Sequence, residues 1–229
     1  MVGAVRGDDD DVLDTDPEAL RQQGPKRDDR NRRFRSLGQT NPEQGTRPVA
    51  DGIVAGERDF GVRAQAIGIL SRTYDTKTCH HELDALLAHR DHLVAIDLAG
   101  DEERFPARLF REHFRRARDA GLQVTVHAGE VDGPQSVWEA IRELGATRIG
   151  HGIHSLQDPA LIDYLVERRI GLEIAITSNI HTGTVGRYAG HPVKALLDRG
   201  VGANLNTDDP EISGIDLGHE FEGGDPRAA

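Results

Sequence analysis

Beyond about Pro48 the chain alternates short β-branched apolar runs with stretches of helical periodicity, separated by glycine or polar turns. The pattern predicts strands over Val62–Leu70, Leu93–Ala99, Gln123–His127, Thr147–Gly150, Gly171–Thr177 and Gly202–Asn206. Between them it predicts helices over Lys77–His89, Ala107–Ala120, Pro134–Leu144, Pro159–Arg168 and Pro192–Asp198. Phe110, Phe114 and Ala117 keep helical spacing, as do Val137, Ile141 and Leu144. Pro134, Pro159 and Pro192 stand where a first helical turn tolerates a missing N–H donor. Strands that are apolar along most of their length imply cover on both faces and therefore a parallel sheet built from right-handed βαβ units.

Such units close into a barrel or spread into an open doubly wound sheet, and the polar residues choose between the two. Arg72, Asp101, His127 with Glu130, His151, Ser178 with Asn179, and Asp208 with Asp209 each follow the last apolar residue of a strand. An open sheet gathers its chemistry at one switch point. Groups at the C-terminal ends of six successive strands describe the mouth of a TIM-type β/α barrel.

Residues 1–47 read differently. Charge blocks, Pro, Gly and Gln leave little to bury, so this stretch is expected to be a disordered, low-complexity head before a barrel unit spanning 48–229. The 229 residues carry 39 acidic and 28 basic side chains, a net charge of −11. That balance argues against nucleic acid or an anionic membrane as a partner. No run reaches the roughly 18 apolar residues of a membrane span, and the N-terminus lacks the apolar region of a signal peptide. The single cysteine, Cys79, excludes a disulfide framework and Cys-rich zinc modules, and a cytoplasmic location is expected.

His127 ends a strand in VTVHAGE, with Glu130 three residues on: an imidazole suited to a metal and a carboxylate suited to proton transfer beside it. His151 lies between two glycines in RIGHG, and Asp208 and Asp209 adjoin in NTDDP, where like charges call for a cation or a donor. Singly, each also fits a hydrogen-bonded histidine or a solvated turn. Together they describe metal-assisted hydrolysis.

The segments IGILSRT, AIDLAGDE, VTVHAGE, AIRELGATRIGHG, TSN and NTDDP, in this order from about Val49 to Phe221, resemble bacterial adenosine deaminases. The resemblance implies conversion of adenosine or deoxyadenosine to inosine or deoxyinosine with release of ammonia, in purine salvage. It also implies one zinc ion per chain. By the same resemblance His127 and Asp208 match zinc ligands, and Glu130 the acid that protonates purine N1. His151 matches the group that orients and helps deprotonate the metal-bound water, Asp209 the acid at N7, and Gly100 the backbone donor to N3. Cytidine-type zinc deaminases are set aside, because one cysteine cannot supply their P-C-x-x-C.

The family takes two further zinc ligands from an H-x-H on its first strand, and this chain contains no H-x-H. Val62–Leu70 resembles the third barrel strand, so the expectation is an incomplete barrel of about six strands out of eight, truncated at both ends, with no helix after the last strand. Two other readings follow: a catalytically inactive remnant that serves at most in binding or assembly, and a related deaminase of adenine or another amino-purine.

Overall fold

In the computed structural model, which describes residues 42–222, all six predicted strands form and lie in chain order within one sheet, each parallel to the next. They are β1 (Ala66–Ser71), β2 (Leu93–Ala99), β3 (Gln123–Ala128), β4 (Arg148–His151), β5 (Gly171–Ile174) and β6 (Ala203–Leu205). The α-helices are α1 (Pro42–Phe60), α2 (Thr76–Ala88), α3 (Arg111–Asp119), α4 (Pro134–Glu139), α5 (Pro159–Arg168), α6 (Ile176–His181), α7 (Val193–Asp198), α8 (Pro210–Ser213) and α9 (Leu217–Glu222). Among the described residues β1 and β6 each pair with one neighbour, so the sheet is an incomplete β/α barrel.

The helices form where the sequence supplies both ends and one apolar face. Asp158 accepts the N–H groups of Ala160 and Leu161 ahead of Pro159, and α5 then buries Leu161, Ile162 and Leu165. Phe110, Phe114 and Ala117 are fully buried, as the spacing predicts, although Ala107–Phe110 is a 3-10 turn leading into α3. The predicted helix to Leu144 keeps its length, but its last turn, Ala140–Leu144, widens to a π-helix that buries Ala140, Ile141 and Leu144.

Several expectations are corrected. Strand β1 begins at Ala66 and not at Val62, because its ladder starts where Ala66 meets Leu93, the first residue of β2. Strand β5 ends at Ile174, and the rest of the predicted run turns into α6. The Glu220 carboxylate accepts the N–H groups of Ile176 and Thr177 at 2.9 and 3.1 Å, satisfying main-chain donors that a strand would have given to its neighbour. Helices α8 and α9 follow β6, where none was expected; α8 starts at Pro210 and ends at Gly214, which takes a left-handed φ of 66°. Helix α1 was not predicted, since Pro48 and three glycines interrupt its apolar pattern, and it begins at Pro42, inside the stretch assigned to the head. Residues 1–41 of that head lie outside the described residues.

The two faces of the sheet differ. Leu70, Ile96, Leu98, Val124 and Val126 pack under the helices in the main core. The opposite face carries Asp97, Thr125 and His127, and at the edge strand it exposes Ile67 and Ile69, 42% and 57% accessible. It is this second face that leads to the functional groups.

Candidate active site

His127 closes β3 with Nδ1 2.6 Å from Oδ2 of Asp97, a carboxylate buried in the middle of β2. The contact is a close ion pair, since the ring N–H is not aligned as a regular hydrogen bond. Asp97 Oδ1 accepts from Thr125 Oγ1 at 2.8 Å, which fixes the carboxylate. Burial opposes charge on the imidazole, but Asp97, with smaller help from Asp208 and Glu130, outweighs it and pushes the ring up to about 9. Arg72, which the sequence placed among the strand-end candidates, is fully buried elsewhere. Its guanidinium donates to the carbonyls of Leu98 at 3.2 Å and His127 at 2.6 Å, and so ties together the ends of β2 and β3.

The loop from His127 to Glu130 is gripped by Glu102. Its Oε2 accepts the N–H groups of Glu130, Val131 and Asp132 at 3.2, 3.1 and 3.3 Å, and its Oε1 those of Gly129 and the Ser136 hydroxyl. Gly129 has φ +68°, and a Cβ there would lie 2.6 Å from Val137 Cγ2. Gly129→Ala is therefore expected to destabilise the chain by about 1–3 kcal/mol in urea unfolding; an unchanged midpoint would show that Val137 gives way freely.

The held loop presents Glu130 to a buried polar cluster. Glu130 Oε1 accepts from Asn179 Nδ2 at 2.9 Å and from Thr182 Oγ1 at 3.2 Å, and Oε2 lies 3.5 Å from His151 Nε2. His151 is buried at the end of β4 with a left-handed φ of 60°, its Nδ1 3.0 Å from Asn179 Nδ2. Burial lowers its pKa, more strongly than the Glu130 charge raises it. Its ring centroid is 5.2 Å from that of His127. Gly150 is needed before it, because a Cβ at 150 would press on the His127 ring from 3.1 Å.

Asp208 follows β6, also left-handed at φ +56°, and accepts from Ser178 Oγ at 2.7 Å. Asp209 leads into α8, and burial followed by the neighbouring Asp208 raises its pKa. His127, His151 and Asp208 share the wall of one cavity of about 340 Å³ with Gly150, Asn206 and Leu217. Glu130 stands behind His151, whereas Gly100 lies apart on the loop after β2, at φ +109° against Thr73. The structure thus gathers His127, Glu130, His151 and Asp208, with Asp209 beside them, and leaves Gly100 off the cavity wall.

Sequence reasoning missed Asp97 and Glu102, and it singled out Asn179 without its partners. A charge inside LVAIDLA was the available signal for Asp97. His127, backed by a carboxylate, and Asp208, held by a hydroxyl, have the chemistry and outer partners of metal donors. A zinc site needs three or four protein ligands, and among the described residues no cluster of three or more His, Cys, Asp or Glu side chains is disposed to hold a metal. The donors present do not amount to a zinc site.

Parallel β/α units with their polar groups at the strand ends define a partial β/α barrel. A family model described as adenosine deaminase matches residues 28–226, and the chain belongs to that family. It is 57% identical over 180 residues to an adenosine deaminase of Vibrio parahaemolyticus and 55% identical over 180 residues to one of Escherichia coli. Each match covers 79% of this chain and 54% of the relative, so the chain spans about half the length of these proteins. Among solved structures, an adenine deaminase from Arthrobacter aurescens superposes with a TM-score of 0.73 at 32% identity, over 76% of this chain and 53% of that one. An amidohydrolase from Burkholderia ambifaria with bound zinc gives 0.73 at 27% identity, over 79% and 51%.

Proposed function

We propose that this chain carries the proton-handling part of an adenosine deaminase site, acting on adenosine or deoxyadenosine in purine salvage in the cytoplasm. The observation that supports it best is the meeting of His127, His151 and Asp208 on one cavity wall with Glu130 behind. In this reading Glu130, oriented by Asn179 and Thr182, protonates the purine ring nitrogen and makes the amino-bearing carbon electrophilic. Asp209, whose pKa burial and the neighbouring Asp208 raise, faces the imidazole side of the purine, and Gly100 lends a backbone N–H. His127 and Asp208 are the chain's share of a zinc set, and zinc, when bound by a full set, supplies an activated water. Among the described residues no helix is long and apolar enough to cross a membrane. A division into a head and a barrel unit belongs to the same proposal, with the boundary moved from residue 47 to the start of α1 at Pro42.

The two-donor pair favours a second reading for the isolated chain, a deaminase remnant without turnover. A panel of adenosine, adenine and adenosine monophosphate with added zinc, followed by the ultraviolet change of deamination, tests both. Negligible turnover of all three is expected. Turnover of adenosine would sink the remnant reading, and preference for adenine would overturn the choice of substrate.

A further inference from the structure

Asn179 is fully buried and joins Glu130, His151 and a third imidazole, that of His191. A main-chain group fixes where the protons of this network sit. His191 Nδ1 accepts the N–H of Val193 at 3.1 Å, and a peptide N–H can only donate. Nδ1 of His191 therefore carries a lone pair, and the ring's proton sits on Nε2. Burial pushes the pKa of His191 down to about 4, in keeping with a neutral ring holding one proton. Its Nε2–H donates to Asn179 Oδ1 at 3.1 Å, which turns the Asn179 amino group the other way. That amino group donates to Glu130 Oε1 at 2.9 Å and to His151 Nδ1 at 3.0 Å. Glu130 Oε1, which also accepts from the Thr182 hydroxyl, calls for the same amide orientation independently. His151 Nδ1 must then offer a lone pair, which leaves its proton on Nε2, 3.5 Å from Glu130 Oε2.

We propose that His191 and Asn179 are positioning residues that select the tautomer of His151, so that His151 meets the cavity as an N–H donor. The relay starts at the first turn of α7 and ends on the cavity wall between β3 and β5. Within the deaminase reading, on which this last consequence rests, His151 then faces the reacting atoms as a donor and not as a proton acceptor.

Long-range 15N–1H correlation spectra of the full chain labelled at histidine read the tautomer of each ring without substrate or metal. Both His151 and His191 are expected as Nε2–H tautomers. Asn179→Asp replaces the amino donor by an acceptor and is expected to move the His151 proton to Nδ1. His191→Gln keeps a donor to Asn179 Oδ1 and is expected to leave His151 unchanged. An Nδ1–H His151 in the unsubstituted chain overturns the proposal, as does an Nε2–H His151 in folded Asn179→Asp. If Asn179→Asp does not fold, the unsubstituted chain and His191→Gln decide. The substrate panel bears on the deaminase reading alone, and neither its turnover nor its preference would alter these spectra.

Discussion

Glu102→Ala is expected to lower the unfolding free energy by about 3–5 kcal/mol, the range for removing one partner from a buried charged network. Four backbone N–H groups, from Gly129 to Asp132, and the Ser136 hydroxyl converge on this one carboxylate. Alanine would leave those donors without an acceptor, in a place where Glu102 itself is only 6% exposed. Its charge also offsets that of Arg72, which is fully buried and draws on Glu102 before Asp97 for compensation. Urea unfolding followed by far-ultraviolet circular dichroism measures the loss. A change below about 1 kcal/mol would mean that water reaches the freed amides, and the clamp would then be dispensable.

Zinc affinity of the isolated chain is expected to be micromolar or weaker, equivalent to about 8 kcal/mol at most. Complete structural zinc sites in small proteins reach roughly 10–16 kcal/mol. Among the described residues His127 and Asp208 form a pair, and water or a neighbour such as His151 must fill the rest of the coordination shell. His127→Ala should then remove the weak binding seen by calorimetry and change deamination hardly at all, because little exists to lose. Nanomolar binding together with deamination abolished by His127→Ala would reveal further donors outside the described residues, and the two-donor account would fail.

What the sequence made legible follows from physics that is local. The six strands announced themselves because a parallel strand under a helix layer is a short apolar run, and the chemistry could be placed because it begins where each run stops. Predicted and observed spans coincide at Leu93–Ala99 and Pro159–Arg168, where turns and caps sit next to the element they bound. Reading failed where the deciding partner is remote. GLEIAIT is a fair strand by composition, but a carboxylate 44 residues from Ile176 turns its second half into helix. Glu102 reads as one loop acid among several until the fold brings it to amides 27 to 30 residues away. The tautomer of His151 was beyond any pattern, since it depends on a peptide N–H in another helix.

The left-handed backbone at His151 and Asp208 has a consequence for how this chain can drift. An L-residue other than glycine, or to a lesser degree asparagine and aspartate, gives up about 1–2 kcal/mol in that conformation. Glycine or asparagine at 151, or glycine at 208, would relieve that strain, but it would empty the cavity wall of its chemistry and strand the buried donors of Asn179 and Ser178. Backbone strain and chemical competence pull in opposite directions at these two positions. Were turnover no longer required, the chemistry would cease to oppose glycine or asparagine there, and only the stranded hydrogen-bond donors would.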